Sequence, residues 1–144
     1  MAAAARSGDL PSTEDRLAVL DLYARQSHAI DGGDAAGWAA TFTPGGSFES
    51  PTYRLVATGT AELTAFAADS NSAALARGEQ LRHWISAVVL SHAGEDALAA
   101  QAYLLIIATS SAGSRIDRSV RLVDDLRRVD GEWLVTRRKV LRDG

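Results

Sequence analysis

The spacing of apolar and polar residues divides the chain into a helical half followed by an extended half. Ser12 or Thr13 is placed to open a first helix, with Glu14 and Asp15 suited to its positive N-terminal end. At 100° per residue, Leu17, Val19, Leu20, Tyr23, Ala24, Ser27 and Ile30 fall in one broad stripe, and Asp21, Arg25 and Gln26 lie opposite. Gly32-Gly33 predicts the stop, and Asp34 can cap a short second helix running through Trp38 to Phe42. Pro44-Gly45-Gly46 reads as a turn before a short strand pair across 48–58. Thr60 and Glu62 open a third helix that ends near Arg77-Gly78. From Gln80 the period changes to two. Extended runs are predicted near 80–91, 96–110, 115–129 and 132–141, the last two joined by the hairpin signal Asp130-Gly131.

Helices first and a meander of long strands afterwards predict an α+β fold, with the helices packed on one face of a curved, mostly antiparallel sheet. The expected shape is a cone-like barrel enclosing a pocket. Residues 1–11 read as a flexible N-terminal tail and 12–144 as a single domain, the size that one core can support. Residues 97–108 are apolar on both faces. Such a strand sits centrally, and its outer face is expected to be covered by a second copy in a homodimer or homotrimer.

Composition narrows the function mainly by exclusion. The net charge is −3, but residues 115–142 carry nine Arg/Lys against five Asp/Glu, so this part is +4 and the remainder −7. On alternating strands such a stretch makes a solvated face, so no nucleic-acid partner is expected. The absence of cysteine removes disulfides, thiolate metal sites and thiol nucleophiles. No apolar run reaches the about 18 residues of a membrane span, so neither a membrane partner nor a membrane location is expected, and the expected location is cytoplasmic. The chain carries no G-x-S-x-G elbow, phosphate loop or H-E-x-x-H helix, and its three histidines lie far apart, so no metal site is expected. The chemistry that remains is acid–base work without a cofactor.

Two residues stand out for that work. Asp31 lies at an angle between Leu20 and Ala24, in the last turn of its helix, where desolvation and the dipole both oppose a negative charge. A carboxylate kept in such a place suggests a function, although it could also lean outward to bond loop amides. His83, in Leu81-Arg82-His83-Trp84-Ile85, shares a strand face with Leu81, Ile85, Ala87 and Val89. It is either a satisfied core histidine or a group aimed into a pocket. Paired in space, an Asp and a His can remove a proton from carbon. Tyr23, Tyr53, Trp38 and Tyr103 are the expected substrate contacts, as hydrogen-bond donors or as apolar wall. Of Arg137 and Arg138, which face opposite sides of the last strand, one can point inward.

The segments Leu22-Tyr23-Ala24, Ile30-Asp31-Gly32-Gly33-Asp34 with Trp38, Phe42-Thr43-Pro44-Gly45-Gly46, Arg82-His83, Asp130-Gly131-Glu132-Trp133 and Arg137-Arg138 resemble the SnoaL-like family of the nuclear-transport-factor-2-like superfamily. The resemblance spans residues 13–141. Scytalone dehydratase, hexachlorocyclohexane dehydrochlorinase, ketosteroid isomerase and limonene epoxide hydrolase are relatives. In the dehydratase and the dehydrochlorinase the base is a His supported by an Asp, and the resemblance places these roles on His83 and Asp31. It implies a cofactor-independent lyase of dehydratase type, acting on a hydrophobic cyclic or polyketide-like molecule. The alternatives are an isomerase or polyketide cyclase using the same pocket, a non-catalytic ligand-binding or scaffold protein, and the small β subunit of a ring-hydroxylating oxygenase. The chain departs from the pattern where many relatives have Asn four residues after the His, since Ala87 stands there. It departs again at Leu122 or Val123, in place of a tyrosine common on the third long strand.

Overall fold

A computed structural model describes residues 10–143. Residues 1–9 of the expected tail lie outside the described part, and Pro11 is already buried. Helix α1 spans Thr13–Asp31, and the Ser12 side chain caps it by accepting the Asp15 N–H at 3.1 Å. Helix α2, Ala35–Ala39, is capped in the same way by Asp34, which accepts the Gly37 N–H at 2.9 Å. It ends sooner than the sequence suggests. Phe42 already belongs to strand β1, Phe42–Ser50, which continues through a short 3₁₀ turn at Pro51–Tyr53 into β2, Leu55–Thr58. Helix α3 covers Gly59–Ala76. The long strands follow: β3, Gln80–Gly94; β4, Ala97–Ser110; β5, Gly113–Val129; and β6, Glu132–Arg142.

The strands form one curved sheet in the order β2-β1-β6-β5-β4-β3, open at both edges. Every pairing is antiparallel except β1 with β6, which is parallel. The helices pack on the inner face. Leu98, Ala100, Ala102, Leu104 and Ile106 of β4 alternate inward to meet them, as period two requires. At the hairpin between β5 and β6, Asp130 and Gly131 both take positive φ, 51° and 82°, the geometry a two-residue turn needs.

Four further expectations change. The Pro44-Gly45-Gly46 turn lies inside β1, where the pairing with β6 shifts register between Phe42 and Ser47. It is a bulge rather than a loop. On α1, Leu17 is 59% exposed and Leu20 is also exposed, whereas Gln26, assigned to the polar side, is 1% exposed. The buried arc is Val19, Leu22, Tyr23, Gln26 and Ile30, turned about a quarter of a revolution from the expected stripe. The reason is polar: Gln26 is drawn inward by Thr41 and Arg138, both of which it bonds. Asp31 is nonetheless covered, because β3 closes over the last turn of the helix.

The remaining two concern strand faces. His83 and Ile85 face inward, but Val89 is exposed while Val88 and Leu90 pack against the core. The face switches at a bulge between Ser86 and Val89, where Ala87 adopts φ 53°. That left-handed conformation costs an alanine about 1 kcal/mol. Ala87→Gly is expected to raise stability by about 0.5–1 kcal/mol, read as a rise of roughly 2–4 °C in Tm. An unchanged or lower Tm would mean that the bulge relaxes without strain. Finally, Tyr103 is on the outer face, because its neighbours Ala102 and Leu104 take the inner positions.

Candidate active site

Between the inner face of the sheet and helices α1 and α3 lies a cavity of about 670 Å³, a size suited to a small organic molecule. Its walls are largely apolar, with Ile30, Trp38, Phe48, Phe66, Leu104 and Ile106 among them. Trp38 and Phe66 pack edge-on and tilted against Phe48, with ring centroids 5.9 and 4.6 Å from it, so one side is an aromatic wall.

His83 lines this cavity from β3, and Asp31, at the end of α1, bonds His83 without lining the cavity itself. The His83 Nδ1 stands 2.6 Å from Asp31 Oδ1, and the same carboxylate accepts the His83 backbone N–H at 3.0 and 3.2 Å. Both side chains are nearly buried. A carboxylate accepts and cannot donate, so Nδ1 carries a hydrogen, and in the neutral ring Nε2 is the atom with the lone pair. The backbone contacts fix the carboxylate to the strand that bears the ring, so the geometry does not depend on a flexible loop. The pairing expected from the sequence is therefore present as geometry, 52 residues apart in the chain.

The expected substrate contacts divide. Trp38 and Tyr53 line the cavity, Tyr53 near its mouth with the Arg118 guanidinium 4.5 Å above its ring. Tyr103 does not; it is 59% exposed on the far side of the sheet. Tyr23 is buried and donates its hydroxyl to Asp124 Oδ2 at 2.6 Å, so that proton is not available to a ligand. Burial, then the Asp124 carboxylate, push the Tyr23 phenol well above its ordinary range.

Sequence reasoning missed the polar group that Tyr23 belongs to. Arg138 of β6 donates Nε to Asp124 Oδ1 at 2.9 Å and Nη2 to Asp124 Oδ2 at 2.7 Å, a bidentate pair. Nη2 also donates to Gln26 Oε1 at 2.8 Å, and Gln26 passes its own N–H to Thr41 at 2.9 Å. Desolvation works against the Arg138 cation, but Asp124 outweighs it, and the guanidinium is held above its ordinary range. The available signals were an Arg-Arg pair on an alternating strand and an Asp pair on its neighbour, which leave open which member of each turns inward. Among the described residues no three of His, Asp and Glu gather as metal ligands would.

The model of the SnoaL-like domain matches residues 11–139. The chain belongs to the SnoaL-like family. Among solved structures it is similar to Aln2 from a Streptomyces species, at 32% identity and a TM-score of 0.83, covering 93% of this chain and 94% of that one. It is similar to ActVI-ORFA from Streptomyces coelicolor at 34% identity and a TM-score of 0.82, covering 91% and 98%. A protein from Catenulispora acidiphila, solved in complex with S-DNPA, shares 28% identity with a TM-score of 0.76, covering 90% and 95%. A search among proteins of curated function gives no match. No described helix is long and apolar enough to cross a membrane.

Proposed function

We propose that this SnoaL-like protein is a cofactor-independent lyase of dehydratase type, acting on a hydrophobic cyclic or polyketide-like molecule. The observation that carries the reading is the Asp31–His83 pair, 2.6 Å apart beside an apolar cavity. His83 Nε2 takes a proton from a carbon next to a carbonyl. The C–H electron pair becomes the new double bond as the β-hydroxyl leaves, and the imidazolium returns its proton to that hydroxyl. Water is the only other product, so no oxidant or reductant is consumed. Asp31 holds the ring in the productive tautomer and stabilises its positive form. The complex of the Catenulispora relative with S-DNPA favours a small organic ligand in this chain as well. The test is a panel of cyclic β-hydroxy ketones, followed by enone absorbance and by deuterium uptake at the α-carbon. Turnover that needs His83 supports the reading. Exchange without loss of water would instead favour an isomerase or cyclase using the same base.

The reading includes assembly with a second copy of this chain. Trp84, 61% exposed, Val89 and Tyr103 form an apolar stripe on the outer face of β3 and β4. Arg121 and Asp125 of β5 lie beside it on the same face, two alternate positions apart. A two-fold axis across the sheet can set each arginine against the partner's aspartate, so the face complements itself. Light scattering is expected to give an oligomer of the 15.2 kDa chain, and Tyr103→Glu a monomer. A native monomer at micromolar concentration would overturn it.

A further inference from the structure

A base that removes a proton from carbon leaves negative charge on the substrate's oxygen, and that charge needs a donor. Tyr23 cannot serve, since its hydroxyl is given to Asp124. Tyr53, Arg77 and Arg118 line the mouth and are half exposed, so a bond to any of them competes with water. The buried face of the cavity holds a different group. Arg138 lines it, and its Nε and Nη2 are taken by Asp124 and Gln26. Nη1 donates to no described residue, and it is not among the atoms sealed from both solvent and hydrogen-bond partners.

Helix α1 sets the distance between this group and the base. Asp31 holds His83, and Gln26 holds Arg138. The two tethers are five residues apart on one helix, which is about 7.5 Å of rise. Ser27 and Ile30 lie between them on the cavity wall. A base, an acidic carbon, its carbonyl and a donor to that oxygen together span roughly 8 Å.

We infer that Arg138 Nη1 is the oxyanion site of this pocket, and that the ligand is a ring ketone with its carbonyl at Arg138 and its acidic α-carbon at His83. This assignment rests on the lyase reading for the role of the base. The bond to Asp124 locks the guanidinium plane before the ligand arrives, so little reorganisation is needed when charge develops. In a largely dry cavity a charged donor is worth about 1.5–3 kcal/mol to its acceptor, which is roughly tenfold to a hundredfold in affinity.

The test uses 1-tetralone, labelled with ¹³C at the carbonyl, and its oxygen-free counterpart tetralin. The native protein is expected to bind tetralone at least about tenfold more tightly and to move its carbonyl resonance downfield. Both effects are expected to persist in His83→Ala, which removes only the base. Both are expected to vanish in Arg138→Gln. Because that change strands Asp124, the paired change Asp124→Asn with Arg138→Gln is measured too; it keeps amides in place of both charges. No preference for tetralone in the native protein overturns the assignment. So does a downfield shift that survives the paired change, or one lost in His83→Ala. If the shift follows Arg138 while His83→Ala leaves turnover intact, the lyase reading falls and the oxyanion site stands.

Discussion

His83→Ala is expected to abolish nearly all turnover while the protein stays folded. A positioned general base supplies about 10²–10⁴-fold, so the loss in kcat/KM should be at least of that order. The fold should survive because β3 keeps its pairing with β4 and its inner contacts through Leu81, Ile85, Val88 and Leu90. Asp31→Asn tests the other half of the pair. The amide oxygen can still accept the His83 backbone N–H, which now reaches both carboxylate oxygens. The amide cannot stabilise an imidazolium. If its NH₂ turns towards Nδ1, it forces the hydrogen onto Nε2 and removes the lone pair that does the work. A loss of about a hundredfold or more in kcat, with KM little changed, is therefore expected. Rates within a few-fold of native in both variants would move the chemistry away from this pair. Tyr53 would then be the residue to test.

The parts of the fold that could be read from the sequence are those set by local chemistry. Ser12 and Asp34 cap helices where short polar side chains precede apolar ones, and Asp130-Gly131 turns the chain as its dipeptide type requires. The Asp31–His83 contact was legible for a similar reason. A carboxylate at a covered helix end and an imidazole on an apolar strand each need a partner, and each lacked one nearby in sequence.

What could not be read depends on tertiary partners. Gln26 is an ordinary polar helix residue until Arg138, 112 positions later, offers it a donor. The rotation of α1 follows from that bond, and so does the exposure of Leu17. The face switch at Ala87 turns on one residue with positive φ, and alanine gives no sign of it. Tyr103 shows the converse error. Its chemistry suits a pocket, but it alternates with Leu104, which takes the inner face and leaves Tyr103 outside. Alternation along a strand decides direction more firmly than residue type does.

The largest stability effect is expected at Asp124, which no account of the base requires. Its side chain is fully buried and neutralises Arg138 through two bonds while accepting the Tyr23 hydroxyl. Asp124→Ala leaves a buried guanidinium with Gln26 as its one remaining acceptor, and it strands the phenol. Breaking a buried ion pair from one side costs about 3–5 kcal/mol, because the surviving charge stays desolvated. For a chain of this length that is a fall in Tm of roughly 10–20 °C. Asp124→Asn should be less severe, since an amide oxygen can still accept from Arg138. Arg138→Gln alone should resemble Asp124→Ala, because it strands the opposite charge. The paired change, Asp124→Asn with Arg138→Gln, removes both charges and leaves an amide in place of each. It is expected to recover a large part of the loss, so the two single effects should exceed the double by about 2 kcal/mol or more in a denaturant cycle. Additive losses would mean that the two side chains do not sense each other as a pair. A double variant as stable as the native protein would mean that the ion pair adds nothing to folding. Its retention would then rest on the donor that Arg138 presents to the cavity.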